Sequence, residues 1–286
     1  MATHYPFVHV DDVPPLNMDP KQGWSISDFR VIMDGRIGCS STIFRGLFMP
    51  GAIHKKHRHD NCDEMYYVLR GHGLAGAGAD RVELFAGHYH YIPRGVEHWL
   101  INLSKTEPIE VYGIYDRAPS VEATGYVYTG DVTEADIKAQ RTPSRERKHH
   151  VVHDDLVPIY KTSRGDGWTQ DYFNQPISRI HGATTTWMQG YFGAGTVHQK
   201  HAHENCEEVC YILKGHGLAG VGKHRVELHA GHFHYIRPGE EHWLVNLSKT
   251  DVLVAPGWYI GAGDLDETGY RHFGPVTPED LKERTE

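Results

Sequence analysis

The chain is written twice. Gly71-His72-Gly73-Leu74-Ala75-Gly76 returns as Gly215-His216-Gly217-Leu218-Ala219-Gly220, and Asn102-Leu103-Ser104-Lys105-Thr106 returns as Asn246-Leu247-Ser248-Lys249-Thr250, both at an offset of 144 residues. Gly23-Trp24 answers to Gly167-Trp168, and Thr124-Gly125-Tyr126 to Thr268-Gly269-Tyr270, at the same offset. Upstream the register is read as slipping by one, with Asp11-Asp12 matched to Asp154-Asp155. A chain built this way must fold as two copies of one domain. The boundary is placed in the charged stretch after Pro143, giving domains 1–146 and 147–286.

The repeat carries a chemical set. His57, His59, Glu64 and His98 in the first copy correspond to His201, His203, Glu208 and His242 in the second. Histidines two apart project to one face of a strand. Three imidazoles and a carboxylate at short range suit Fe(II), Mn(II), Ni(II), Co(II) or Zn(II). Four protein ligands leave two positions open on an octahedral ion, which is a catalytic arrangement. One divalent metal per domain is therefore expected, with geometry and availability selecting among these ions.

Between these residues lie short runs rich in aromatic and β-branched side chains, punctuated by glycine. Residues 41–48, 65–69, 82–85, 89–92 and 99–103 read as strands, with Gly51, Gly71, Gly73, Gly87 and Gly95 at the breaks. Many short strands argue an all-β sandwich or barrel. One short helix is expected in each tail, where Thr133 and Thr277 stand as N-caps before acidic residues.

Composition bounds the partners. Hydrophobic residues make up 39% and charged residues 23% of the 286, enough for two ordinary cores. A formal charge of −8 and no long basic run speak against nucleic acid and anionic membrane as partners. The nearest thing to a basic run, Arg141 to His150, reads as a solvated connector. The first ten residues lack the pattern of a signal peptide, and no apolar stretch is long enough to cross a bilayer, so a cytoplasmic location is expected. The four cysteines are too few and wrongly spaced for a disulfide framework, and Cys62 and Cys206, equivalent in the repeat, are read as free, partly buried thiols.

The motifs resemble those of the cupin superfamily, twice over. Its first motif, Gly, five residues, His-x-His, three or four residues, Glu, six residues, Gly, is filled by Gly51, His57, His59, Glu64 and Gly71, and again by Gly195, His201, His203, Glu208 and Gly215. Its second motif is filled by Gly87, Pro93, Gly95, His98 and Asn102. In the second copy Arg237-Pro238-Gly239 replaces Pro93-Arg94-Gly95, while Gly231, His242 and Asn246 keep register. The resemblance implies a bicupin: two tandem jelly-roll β-barrels, each with its metal inside the barrel mouth.

Since the ligands match, the differences between copies are the guide to unequal roles. Counting by twos from Glu64 turns Tyr66 inward, and its counterpart is Cys210. Arg45, facing Gln189 across the repeat, is the other candidate; pointing inward, it would hold a substrate carboxylate. Tyr66 and Arg45 are thus the candidate catalytic residues. His54 is read as lying opposite His57 and so as no ligand. His88 and His90 are given surface or interface roles ahead of orienting a ligand. Trp99 and Trp243 are read as packing residues, and Asn102 and Asn246 as braces.

Three functions remain in play. The leading one, implied by the resemblance to cupins with iron as the first choice of metal, is a non-haem iron dioxygenase acting on a small aromatic or dicarbonyl-type substrate. The alternatives are a redox-neutral Mn, Zn or Ni enzyme (isomerase, lyase, decarboxylase or aminohydrolase) and a non-enzymatic metal- or ligand-binding bicupin. The chain is shorter than the large bicupin oxalate decarboxylases, which speaks against that reaction. A small-molecule substrate is expected, and homo-oligomers are compatible with the resemblance.

Overall fold

A computed structural model describes residues 5–162, 167 and 170–282, so Trp168 lies outside the described residues. The first copy is two antiparallel sheets. One runs, in spatial order, His150–His153, His88–Ile92, Asp63–Arg70, Ile109–Asp116, Thr42–Phe48 and Asp28–Met33. The other runs Tyr126–Gly130, Ile53–His59, His98–Asn102, His72–Ala77 and Asp80–Phe85. Phe44, Val68, Ile92, Val111 and Tyr115 from the first sheet meet Ala75, Val82, Leu84 and Leu100 from the second in one buried core. Each large side chain so buried contributes about 1.5–3 kcal/mol, and this lined interior holds the sheets together.

The second copy repeats the plan. Its larger sheet runs Phe7–His9, His232–Ile236, Glu207–Tyr211, Leu253–Ile260, Thr186–Phe192, Tyr172–Ile177 and Ile159–Lys161. Its smaller sheet runs His224–His229, His216–Val221, His242–Asn246, Val197–His203 and Tyr270–Gly274. Both copies are all-β jelly-roll barrels, as expected. The first tail forms the helix Glu134–Lys138, capped reciprocally by Thr133 and Asp136. In the second tail Thr277 and Asp280 make the same cap bonds, but residues 278–282 form turns and no helix appears among the described residues.

The edge strands belong to the opposite copies. Phe7–His9 pairs with His232–Ile236, and His150–His153 pairs with His88–Ile92. One compact unit accordingly holds Val13–Leu156 and His181–Ala183; the other holds the chain up to Asp12, Val157–Ile180 and the rest from Thr184. The pairing also corrects the upstream register. His9 opposes His232 as His153 opposes His88, and Asp11 N donates to His9 Nδ1 as Asp155 N does to His153 Nδ1. The offset therefore stays at 144, with Asp11 matched to Asp155. Two adjacent aspartates in each arm had allowed either alignment.

Each copy seats a tryptophan on a glycine. A Cβ on Gly76 would lie 2.1 Å from the Trp99 ring, and one on Gly220 would lie 2.2 Å from Trp243. Only a bare backbone lets these rings lie flat on the neighbouring strand. Asn102 braces the same region: its Nδ2 donates to Phe48 O and Glu107 O at 2.9 Å, and its Oδ1 accepts from Ser104 N. Asn246 makes the matching bonds to Phe192 O, Asp251 O and Ser248 N.

Candidate metal centres

The paired histidines sit near the end of the strand Ile53–His59, and Glu64 opens the next strand, Asp63–Arg70. His57 lies directly across from His98 on the neighbouring strand. His57, His59, Glu64 and His98 each present one ligand atom, all within 4.8 Å of one another, and His201, His203, Glu208 and His242 do the same. All eight residues are buried.

Backbone carbonyls set the tautomers. His57 Nδ1 lies 2.7 Å from Lys55 O, and His98 Nδ1 lies 2.9 Å from Val96 O. A carbonyl only accepts, so each Nδ1 carries the proton and each Nε2 turns a lone pair into the site. His201 and His242 are held in the same way by Gln199 O and Glu240 O. Glu64 Oε2 lies 2.9 Å from His98 Nε2 and 3.2 Å from His59 Nε2; Glu208 Oε2 lies 3.0 Å from His242 Nε2 and 3.3 Å from His203 Nε2. Neither ring nitrogen of His59 or of His203 makes a hydrogen bond.

Converging lone pairs without protons between them repel, and buried polar atoms left unpaired are costly. A divalent cation at the centre answers both problems. Burial alone would raise the Glu64 carboxyl, but His98 and His59 overcome it and hold the group below the ordinary carboxylate range. Burial, reinforced by the other histidines, holds His57 and His201 well below the ordinary imidazole range, so both are available as neutral ligands. Both sets therefore fit one divalent ion each.

The cupin domain family matches residues 44–115 and 191–255, the two segments that carry these ligands. The chain is a bicupin of the cupin superfamily. None of the curated proteins matches it in sequence. Among solved structures, this bicupin is similar to a single-residue variant of oxalate decarboxylase from Bacillus subtilis, at 12% identity and a TM-score of 0.70 over 96% of this chain and 80% of that one. It is equally similar to a formate complex of oxalate decarboxylase from Lactobacillus farciminis, at 12% identity and a TM-score of 0.70 over 100% of this chain and 98% of that one. A third similar structure concerns the Mn(II) centres of the Bacillus subtilis enzyme, at 13% identity and a TM-score of 0.67 over 97% of this chain and 80% of that one. Length therefore does not set this bicupin apart from that group: the Lactobacillus farciminis chain is matched almost end to end.

The first barrel of the bicupin holds a small cavity of about 20 Å³ beside its candidate metal ligands. Glu64, His98, His54, Tyr66 and Tyr115 line it together with Phe44, Phe48, Leu100 and Val111. Tyr66 thus stands where its parity placed it. Its hydroxyl lies 2.7 Å from His90 Nδ1, and burial, then Glu64, push it well above the ordinary phenol range.

Arg45 does not face the cavity. It alternates with Phe44, which does, and its guanidinium lies on the other side of the sheet, 2.6 Å from Glu110 Oε1 and 3.5 Å from Asp28 Oδ2. The expected clamp for a substrate carboxylate is corrected: two carboxylates of the protein already engage that group.

His54 also departs from its reading. A bulge between His54 and His57 breaks the alternation, so the rings lie 4.2 Å apart and His54 joins the cavity lining. Its Nδ1 donates to Gly23 O at 3.1 Å, and burial lowers it to about 4, so it enters as a neutral ring. His198 repeats the arrangement against Gly167 O and is lowered to about 3 by burial.

Nor is the stretch from Arg141 to His150 merely a solvated connector. His149 is buried and hydrogen-bonded to His90 and Asp80, and Arg147 lies 3.0 Å from Asp80 Oδ2. Nothing in the local sequence signals this, because the partners lie about sixty residues upstream. Cys62 and Cys206 are buried free thiols, in line with their reading, and so are Cys39 and Cys210. No helix among the described residues is long and apolar enough to cross a membrane.

Proposed function

We propose that this bicupin is a redox-neutral, metal-dependent lyase that decarboxylates a short carboxylic acid, with Mn(II) as its working ion. The observation that carries the reading is the small cavity of about 20 Å³ beside Glu64 and His98. Such a space favours a group of a few atoms over an aromatic ring, which weighs against the dioxygenase expected from sequence. The named activity of the similar structures, oxalate decarboxylase, and the Mn(II) centres of one of them point the same way.

A divalent ion in this site supplies an anchor for a carboxylate and stabilises negative charge on it. The chain supplies the rest. Phe44, Phe48, Leu100 and Val111 exclude water from the bound acid. The reaction breaks the bond between the carboxylate and its neighbouring carbon and releases CO2. The electron pair left on carbon then takes a proton, so no electrons are gained or lost overall. Tyr66 is the hydroxyl placed at the cavity with an imidazole behind it, and it is assigned the proton transfer.

The test is anaerobic turnover. Protein loaded with Mn(II) and given oxalate or another short dicarboxylate should release CO2 and the acid one carbon shorter in the absence of O2. Consumption of O2 in step with turnover, and none without it, would return the reading to a dioxygenase.

A further inference from the structure

Behind Tyr66 runs an unbroken line of buried hydrogen bonds. Tyr66 Oη lies 2.7 Å from His90 Nδ1, His90 Nε2 lies 3.0 Å from His149 Nδ1, and His149 Nε2 lies 2.9 Å from Asp80 Oδ2. All four residues are buried. The second copy has none of it. Cys210 stands for Tyr66, Tyr5 for His149 and His224 for Asp80. His234, the counterpart of His90, has an Nδ1 with no hydrogen-bond partner and packs against Phe7.

The polarity of the line follows from donor and acceptor chemistry. Asp80 accepts from Thr142 N and Arg81 N as well as from the histidine, and it pairs with the Arg147 guanidinium, whose Nε lies 3.0 Å from Oδ2, the environment of a charged carboxylate. His149 must then donate from Nε2, and being buried and held neutral it accepts at Nδ1. His90, also held neutral by burial and by His149, donates from Nε2 and accepts at Nδ1. The Tyr66 hydroxyl consequently donates to His90, and its oxygen lone pairs are left for the cavity. One choice of tautomers satisfies every bond.

We propose that Asp80, His149 and His90 form a proton wire ending on Tyr66, which confines proton-transfer chemistry to the metal site of the first copy. The proposal rests on the lyase reading for its substrate, a half-protonated short dicarboxylic acid. When the carboxyl proton of that acid passes to Tyr66 Oη, the phenol proton moves to His90 Nδ1. The His90 Nε2 proton moves to His149 Nδ1, and the His149 Nε2 proton moves to the Asp80 carboxylate. Three bonds shift by one proton each and no charge rests on either imidazole. After CO2 leaves, the shift runs backward and a proton from Tyr66 lands on the carbon that kept the electron pair. His90, His149 and Asp80 are positioning residues acting through Tyr66.

His149→Gln separates a wire from a scaffold. The amide oxygen can accept from His90 and the amide nitrogen can donate to Asp80, but an amide does not relay the proton. Full-length protein loaded with Mn(II) should keep its metal content, its Tm and its KM, while kcat falls about 100-fold, the lower end for acid–base catalysis, and its solvent isotope effect rises. Tyr5→Phe, at the matching position of the other copy, should change none of these. A His149→Gln enzyme within twofold of the parent overturns the proposal.

A second measurement stands apart from turnover. In protein loaded with Zn(II), imidazole 15N spectra should show His90 and His149 both protonated at Nε2 and bare at Nδ1. Either ring found protonated at Nδ1 overturns the wire even if the substrate is something else. Absence of any decarboxylation, with the tautomers as stated, would instead strike the lyase reading alone.

Discussion

The two barrels share their ligands and differ in what stands behind them. His57 and His98 in the first set, and His201 and His242 in the second, are held in the same tautomers by carbonyls at the same relative positions. Behind the first set, Tyr66 leads through two histidines to Asp80; behind the second, Cys210 stands in place of Tyr66 and His234 Nδ1 has no hydrogen-bond partner. Burial, with Glu208 adding to it, pushes the Cys210 thiol well above its ordinary range, so it stays a neutral filler. The lesson is that metal binding and proton handling are separable properties of this fold. The candidate ligand set stands in both copies, and the hydrogen-bonded line behind Tyr66 in the first.

The comparison can be strained in order of expected effect. Removal of both ions by a chelator should abolish turnover and lower the stability of both barrels, since each loses the cation that joins its lone pairs. An ion present at a hundred times its Kd stabilises by about 2.7 kcal/mol, so the loss should be plain in a thermal scan, with metal restoring the parent curve. Unchanged melting after verified metal loss would mean the sets tolerate one another without an ion.

Tyr66→Phe should lower kcat by about a hundred- to a thousandfold while metal content stays at the parent level. Retained activity would remove Tyr66 from the chemistry and with it the main difference between the copies.

Gly76→Ala and Gly220→Ala should hurt equally. Each adds a methyl within about 2 Å of a tryptophan ring, and overpacking of this kind costs about 1–3 kcal/mol. Denaturant melts of the two variants would check it; a clear inequality would show that the copies are not packed alike where their sequences agree.

The smallest effect lies in the tails. Asp280 beside Lys200 is lowered to about 2, burial opposing and the Lys200 and Thr277 bonds prevailing; Asp136 beside Lys56 is lowered as well, by Thr133 and Lys56 against burial. A carboxylate depressed on folding adds stability above its unfolded value, about 3.9, and loses it as pH falls through the folded value. The second tail contact should therefore persist to about pH 2. Carboxyl chemical shifts followed during acid titration would show it; release of Asp280 at pH 4 would contradict it.

The fold and the ligand sets were legible because they are carried by local spacing. His57 and His59 report one strand face, glycines mark the turns, and the repeat supplies a second reading of each. Parity also placed Tyr66 correctly. It failed for His54, because a bulge reverses the alternation and leaves no mark in the sequence. Arg45 was ambiguous for a different reason: a polar residue on a strand in a barrel faces either way, and Glu110 and Asp28, which decide it, are remote in sequence. His149 and Asp80 could not be paired at all from the chain. They meet because the arm after the first tail returns to the edge of the first copy's sheet, a matter of topology.

The central claim is that one barrel does the chemistry and both hold metal. Glu64→Ala and Glu208→Ala, assayed side by side for bound metal and anaerobic CO2 release, test it most directly. Each should lose one of two ions. Glu64→Ala should lose about a thousandfold or more in turnover, metal and proton help failing together, while Glu208→Ala should keep most of it. Equal losses from the two variants, or a greater loss from Glu208→Ala, would contradict the account.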